Sequence, residues 1–400
     1  MNDVILAQYN EVALKLGHRS MFVGRLLQNV RASLKGLPTA SVRSRSGRLV
    51  VELGSAAEDE VLRRLRVQPG LANLIPARRC RPEVEDIERT AAELIRTWRP
   101  PGSFRVDVRR ADKNFPVKSP ELAARIGAMA GEVTGAPVDL KSAPSVLRVI
   151  ISREEAWVAT SDRIEGAGGL PASTAGRVLL LLSGGIDSPV AGLRMMRRGC
   201  RLDAIHFHSA PFLDRTSQEK ARRLAAVLAR GQTSVRLSLI AFGEMQSDIV
   251  RTAPQPLRVV LYRRMMMRIA SEVARVDLCS GLVTGESLGQ VPSQTLANMA
   301  VIESAARLPV LRPLVGMEKL EITRYARRND TYRISVVPDQ DCCTLFVPRH
   351  PATGARLGEV EAAERSIAVD AMVEKALAER VRERIHPEWE LDGRSAAAEL

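Results

Sequence analysis

Aromatic residues are scarce in this 400-residue chain: Phe, Tyr and Trp together make up 4% of it. Any core must therefore rest on Leu, Val, Ile, Ala and Met. Cysteine is equally sparse. The five residues Cys80, Cys200, Cys279, Cys342 and Cys343 form an odd set without framework spacing, which argues against a secreted disulfide scaffold. No segment approaches the ~18–20 consecutive apolar residues of a membrane span. The N-terminus, "MNDVILAQYNEVALK", carries Asp3 and Glu11 where a leader would be basic. A reducing, cytoplasmic location is expected. Two nucleotide-binding signatures are also missing: the chain has neither G-x-x-x-x-G-K-[ST] nor G-x-G-x-x-G.

What the chain does have is positive charge. Its net charge is +13, and 51 of its 59 basic residues are arginine, leaving eight lysines. Such an excess suits a polyanionic partner, because each phosphate contact releases counterions. Base-composition bias toward arginine accounts for the same numbers equally well.

The length suggests two to four domains at roughly 100–200 residues each. The first part reads as α+β. "VILAQYNEVALK" reads as a strand, "SMFVGRLLQNVRASLKG" has helical spacing, and "ASVRSRSGRLVVELG" looks like a hairpin with Ser-Gly near its turn. A helix follows near 57–66, then an apolar stretch around "ANLIPARRC" and a helix "VEDIERTAAELIRTW". "SFRVDVRRAD" alternates as a strand, "SPELAARIGAMAGEVTG" runs as a helix to Gly135, and "PVDLKSAPSVLRVIISREEAWVAT" supplies two more strands. "EGAGGLPASTAG", 165–176, reads as a linker.

After it the pattern becomes strand, helix, strand, helix. Strands are expected at 177–182, 202–208, 233–241, 278–284 and 308–314, with a short one near 333–337. Helices are expected near 189–198, 215–229, 257–275, 293–305 and 317–328. Continuous apolar strands separated by helices imply a parallel sheet covered on both faces, so the fold class is α/β. The tail "EVEAAERSIAVDAMVEKALAERVRERI" reads as one long amphipathic helix.

In such a sheet ligands sit beyond the carboxyl ends of the strands. "SGGIDS", 183–188, lies at one, directly after Leu181 and Leu182, whose backbone groups are expected to meet the adenine or ribose of a nucleotide. Gly184 and Gly185 let backbone approach a ligand without Cβ clashes. Pro189 fits a first helical turn, whose unpaired N–H groups and dipole favour an anion. Ser183 and Ser188 add hydroxyls. Asp187 is out of place beside an anion unless Mg²⁺ bridges the two. The turn reads as a pyrophosphate cradle; a plain strand–helix turn is the blander alternative.

These residues resemble the PP-loop of ATP pyrophosphatases, which transfer AMP to an oxygen and release pyrophosphate. "GRVLLLLSGGIDSPVAGLRMMRRG", "HFHSAPF", "YRRMMMRIA", "LVTGESLGQVPSQTLANM", "LPVLRPLVGMEKLEI" and "DCCTLFVPRHP" together resemble the tRNA 4-thiouridine synthetases, or tRNA sulfurtransferases. "YNEVALKLGHRSMFVGRLLQNVR" is similar to that family's N-terminal ferredoxin-like segment. "VRRADKNFPVKSPELAARIG" and "VDLKSAPSVLRVII" are similar to its THUMP domain, an RNA-binding module. The likeness spans roughly residues 5–365. It implies a ferredoxin-like domain at 1–55, a THUMP domain at 56–164 and a PP-loop (adenine nucleotide alpha hydrolase-like) domain at 177–400.

The remaining motifs are read with the family beside them. His206 and His208 share one side of a strand and Phe207 the other; a satisfied core role for each histidine stands level with a functional one. The resemblance implies that His206 and Phe207 border the nucleotide, with Arg263, Gly285 and Gln294 as further ATP contacts. The Met stripe beside Arg263 and Arg264 is most simply core filling. In the first half, Arg109, Arg110, Lys113 and Lys118 surround Phe115, a phosphate-contact surface with a possible stacking ring. Cys342 and Cys343 are adjacent, so a disulfide between them would be strained and free thiols are expected. The family keeps a redox-active cysteine in this segment, which the resemblance assigns to Cys343 ahead of Cys342. Cys80, Cys200 and Cys279 look structural.

The chain departs from the family in two respects. Asn10 and "LGHR" replace a usual glycine and a lysine-rich stretch. Some members carry a C-terminal rhodanese domain, for which no room is left before Leu400. Sulfur is then expected directly from a partner such as a cysteine desulfurase, or from another carrier. The expected activity is ATP- and Mg²⁺-dependent transfer of sulfur to uridine 8 of tRNA, with Asp187 and the Cys342/Cys343 pair as catalytic residues. A sulfur relay to a thiamine-pathway carrier protein and a homodimer are further implications. The alternatives are a PP-loop synthetase acting on a small molecule and an inactive RNA-binding protein.

Overall fold

Two-residue periodicity shapes the first half of the structure. In this computed structural model, which describes residues 2–15, 17–338, 346, 348 and 350–389, the chain forms two units, Met1–Leu170 and Pro171–Leu400. The first unit runs β1 (Val4–Gln8), α1 (Arg19–Ser33), β2 (Ser41–Arg45), β3 (Arg48–Glu52), α2 (Glu58–Arg66), β4 (Asn73–Cys80), α3 (Val84–Thr97), β5 (Phe104–Arg110), α4 (Ser119–Thr134), β6 (Ser145–Ile151), β7 (Ala156–Ala159) and β8 (Ile164–Glu165). The strands join one eight-stranded sheet in the order β2-β3-β1-β4-β7-β6-β5, with β8 beside β4. All pairs are antiparallel except β5–β6.

Both faces of this sheet are buried, each by alternate residues. Ile5, Ala7, Leu49 and Val51 pack in one core with Leu26 and Val30 of α1. Leu147, Val149, Ile151 and Val158 pack in another with Ile87 of α3 and Ile126 of α4. The opposite face contributes Val4, Leu6, Val50, Ile75, Ile150 and Trp157 to a smaller third core, which runs from β3 to β6 across the sheet. At one end of that face Arg43 pairs with Glu155 at 2.9 Å.

The expected hairpin is present, its turn made by Ser46 and Gly47 at φ 45° and 78°, the left-handed pair a two-residue turn requires. Gly135, at φ 67°, ends α4. The expected strand from Val4 through Lys15 stops at Gln8, and Glu11–Leu14 is a 3₁₀ turn instead. The first residues of the expected linker are fastened to this unit: Gly166 and Gly168 donate to Ala72 O and Leu71 O.

The second unit runs β9 (Arg177–Leu181), α5 (Asp187–Arg197), β10 (Arg201–His208), α6 (Thr216–Ala229), β11 (Val235–Ala241), α7 (Gly243–Thr252), α8 (Arg258–Val276), β12 (Leu282–Val283), α9 (Leu296–Glu303), β13 (Val310–Leu311), α10 (Lys319–Arg328), α11 (Tyr332–Ser335), α12 (Leu357–Glu364), α13 (Val369–Ala378) and β14 (Val381–Ile385). The sheet order is β13-β12-β9-β10-β11-β14. Its first five strands are parallel, and β14 closes the edge antiparallel to β11. β9 is central and is covered by apolar cores on both faces, through Leu179 on one and Leu180 on the other. Met265, Met266 and Met267 fill one of these cores.

Three expectations for this unit are corrected. The strand near 333–337 is helix α11. Helix α7 was not anticipated, because "GEMQSDIVRT" buries only Gly243, Met245, Gln246 and Ile249. The tail is not one helix. It breaks around Ser366–Ala368, and "VRERI" pairs as a strand from Val235↔Ile385 to Leu239↔Val381. Alternation fits a sheet edge as well as a charged helix face, and the open edge of β11 decides between them.

Glu364 ties α12 to α8. It accepts from Arg264 at 2.8 and 2.9 Å and from Arg268 at 2.6 and 2.7 Å. Burial opposes its ionisation, but the hydrogen bonds and charges of Arg268 and Arg264 outweigh burial and hold the carboxyl at about 2. A depressed carboxyl contributes stability above its unfolded value near 4.5, lost as pH falls toward 2. Glu364→Gln leaves two guanidiniums without their anion. It should lower unfolding free energy by about 3 kcal/mol at pH 7, with the gap from wild type closing on acidification in denaturant titrations.

Candidate functional site

The carboxyl end of β9 is where the second unit gathers its polar groups. Leu182 donates to Ile205 O at 2.8 Å, and its carbonyl lies 2.9 Å from His206 Nδ1. Its backbone polar groups are thereby engaged within the protein. The next residues fold into a turn held by two serines. Ser183 N donates to Ser188 Oγ at 2.9 Å, the two hydroxyl oxygens are 3.0 Å apart, and Gly185 N reaches Ser183 Oγ at 3.3 Å. The serines fix the loop's shape. The first-turn amides of α5 then have no preceding turn to bond, and with the helix dipole they make an anion-binding end.

Gly285 is needed here, though its backbone meets protein. A Cβ at this position would lie 2.6 Å from Ser188 N and 2.7 Å from Ser188 Cα. The loop after β12 thus packs directly on the first turn of α5. Thr284 and Arg312 both donate to Glu286 in this loop, at 2.9 and 2.8 Å.

Asp187 opens α5 with its carboxylate held from two sides. Lys319 Nζ, at the start of α10, lies 2.6 Å from Oδ1, and Gln290 Nε2 lies 3.0 Å from Oδ2. From α11, Ser335 Oγ donates to Gly185 O at 3.2 Å. The arrangement sets one carboxylate, one ammonium and a row of amides around a glycine turn, a geometry suited to an anion that carries a cation with it. Lys319, Gln290 and Ser335 were not picked out by the sequence reading. Only a Lys inside "GMEKLE", near a helix start, signalled the first of them.

The other expected contacts are placed less directly. His206 is 2% exposed, lying between Leu182 O and Ser217 Oγ. Phe207 is a core residue, 6% exposed and edge-on to Phe242 at 5.5 Å. His208 is pushed down to about 4 by burial and by the charges of His206 and Arg222, so it is neutral at physiological pH. Arg264 is structural, through Glu364, while Arg263 is partly exposed on α8. Gln294 lies on a 3₁₀ turn (Pro292–Gln294) ahead of α9 rather than within the helix. Its buried Oε1 has no hydrogen-bond partner among the described residues. Among the described residues no group of three or more His, Cys, Asp or Glu could hold a metal ion. No helix among them is long and apolar enough to cross a membrane.

Burial raises the Cys80 and Cys279 thiols to about 11 and about 12 and pushes Cys200 upward too, in keeping with structural roles. Cys342 and Cys343 lie outside the described residues.

Known proteins share this organisation. Residues 173–369 match the family model of the Thiamine biosynthesis protein (ThiI), residues 4–74 the ThiI ferredoxin-like domain and residues 81–161 the THUMP domain. A probable tRNA sulfurtransferase of Thermus thermophilus is 44% identical over 95% of this chain and 93% of its own length. The chain belongs to the tRNA sulfurtransferase family. A second family member, from Moorella thermoacetica, is 44% identical over 94% of this chain and 96% of its own. A solved 4-thiouridine synthetase in complex with RNA, with bound ATP, superposes with a TM-score of 0.87 at 31% identity, covering 96% of this chain and all of that one.

The basic segment of the first unit is less uniform than its sequence suggests. Lys113 and Lys118 are exposed, and so is Arg109, which pairs with Asp107 at 3.1 Å. Arg110 is turned inward: it donates to Phe115 O, Val117 O and Ser119 Oγ and so pins this loop. Phe115 is 8% exposed and packed in the helix-covered core. A stacking role for its ring is therefore corrected to a core role, since stacking needs an open face.

The tight β12–α5 contact gives a test. Gly285→Ala places a methyl against backbone that cannot swing aside, so the mutant should lose about 2 kcal/mol. Thermal unfolding of the second unit is the measurement.

Proposed function

We propose that this family member uses ATP to convert uridine 8 of tRNA to 4-thiouridine. The observation that carries the reading is the Asp187–Lys319 pair beside the glycine turn that caps β9. The polyphosphate of ATP would lie on the first-turn amides of α5, with Lys319 shifting from Asp187 toward phosphate oxygens. Among the described residues Asp187 is the carboxylate that would hold Mg²⁺, an ion that commonly binds through one or two carboxylates plus substrate phosphates. Bound in that way it would neutralise phosphate charge. The solved relative with bound ATP and RNA supports this choice of substrates.

In the proposed reaction the uridine O4 attacks the α-phosphorus and pyrophosphate leaves. The outer sulfur of a persulfide then attacks C4 and displaces AMP. A second thiol attacks the carrier sulfur of the resulting S–S bond, releasing 4-thiouridine and leaving the two thiol sulfurs as a disulfide for a thiol reductant to reopen. The chain's own groups orient the triphosphate and stabilise charge as it moves to the leaving pyrophosphate. Cys342 or Cys343 carries or resolves the sulfur, delivered by a cysteine desulfurase or a comparable donor. The first unit holds the tRNA, for which the chain's net charge of +13 is favourable.

Asp187→Asn and Lys319→Ala should each lower pyrophosphate release by ~100-fold. tRNA affinity in both should stay within about twofold of wild type, since neither side chain belongs to the RNA-binding unit. Equal loss of both properties would contradict this division of labour. Replacing Cys342 and Cys343 together with Ser should stop thiolation, read by mass spectrometry of nucleosides, while pyrophosphate release persists. Normal thiolation in that double variant would remove both cysteines from the mechanism.

A further inference from the structure

The face of the first sheet that carries the third core is charged at both ends, and the two ends differ. At one, Arg43, Arg45 and Arg79 meet Glu52, Glu154 and Glu155, and every arginine has a carboxylate within 3.1 Å. At the other, Arg48, Arg109, Arg148 and Arg163 line a cleft with Asp107, and Arg105 lies near Arg148. Asp162 is the other carboxylate close enough to Arg148 to matter. Five guanidiniums thus face two carboxylates.

The excess is built in. Register places Arg148 opposite Asp107 across β5–β6, and Gln8 opposite Arg48 across β1–β3. Arg48 rests on the Trp157 ring, its guanidinium carbon 5.5 Å from the centroid. Arg148 is 9% exposed and is anchored by Nη1 to Val146 O and Ser161 O. Its Nε makes no hydrogen bond among the described residues, and neither do Arg48 Nη1 and Arg105 Nε, though all three atoms are buried. Buried donors on charged groups are costly to leave unpaired. Burial, then Arg109, lowers the Arg48 pKa; burial, then Arg163, lowers that of Arg148. The cleft as it stands is short of negative charge.

We propose that this cleft is a binding site for one phosphate group of the bound RNA, held by Arg48 and Arg148 from within and by Arg109 and Arg163 at the rim. Guanidinium forks match phosphate oxygens two at a time. A phosphate here would meet the guanidiniums that line the cleft and offset the excess charge. The site rests on the reading of the first unit as the tRNA-binding part, and adds to it a fixed point buried among strands rather than a basic loop.

The test uses the full-length protein and an unmodified tRNA transcript, with Kd measured across a salt series. Arg109→Gln with Arg163→Gln alters only rim residues and should leave the unfolding temperature unchanged. It should weaken binding about tenfold and reduce the slope of log affinity against log salt by about 1. Arg148→Gln should add to this loss. If it fails to fold, the rim pair alone decides. Wild-type affinity and salt slope in the rim variant would overturn the cleft while leaving tRNA binding in place. Absence of tRNA binding by the wild-type protein would overturn both.

Discussion

The contact between Gly285 and the first turn of α5 is the constraint on which the second unit's site depends. Two loops leave adjacent parallel strands, β9 and β12, at the same edge, and each would ordinarily spread away from the other. Here they touch through backbone, because residue 285 has no side chain to keep them apart. Once they touch, the start of α5 is fixed in position. Asp187 then faces Lys319 and Gln290, and the Ser183–Ser188 hydroxyl pair closes the turn from inside. The site is a consequence of packing between neighbouring loops, with the polar groups following.

That dependence explains what the sequence made legible. The sheet could be read because β9 and β10 are apolar runs of strand length followed by small or polar residues. The glycine turn could be read because Gly184, Gly185 and Asp187 lie within four positions. Lys319 and Gln290 lie more than a hundred residues away, and neither residue type stands out on a helix start or in a loop. Only the fold brings them to Asp187. Gly285 was expected as an ATP contact from the family likeness alone, and nothing in the sequence shows that its backbone lies against α5. The same gap affects Phe115 and Arg110. A basic stretch around an aromatic ring looks alike whether the ring faces water or the core, and one arginine turned onto Phe115 O and Val117 O separates the two cases. The tail shows the limit of periodicity: "VRERI" satisfies helix and strand patterns over five residues, and β11 supplies the missing information.

The first unit follows a different logic. Its sheet is buried on both faces and has its charge sorted by position along one face. Ion pairs neutralise one end, and arginines in excess of carboxylates occupy the other. Because Trp157 and the strand register hold Arg48 and Arg148, these groups would lose little conformational freedom on meeting a phosphate. A loop lysine would lose more. Rigid arginine forks suit a contact that sets position, whereas a contact that must change during a reaction needs another kind of group.

Lysine at residue 319 fits that second need. It is one of only eight in a chain with 51 arginines, so its presence beside Asp187 runs against the composition. An arginine would clamp the Asp187 carboxylate with two parallel hydrogen bonds and resist leaving it. An ammonium on a flexible stem makes a single-point contact and can pivot to a phosphate oxygen at small cost. The two sites thus use cations of different chemistry. On the proposed reading, planar, fixed groups stand where a polyanion would be registered, and the flexible ammonium stands where a cation would pass from a carboxylate to a phosphate.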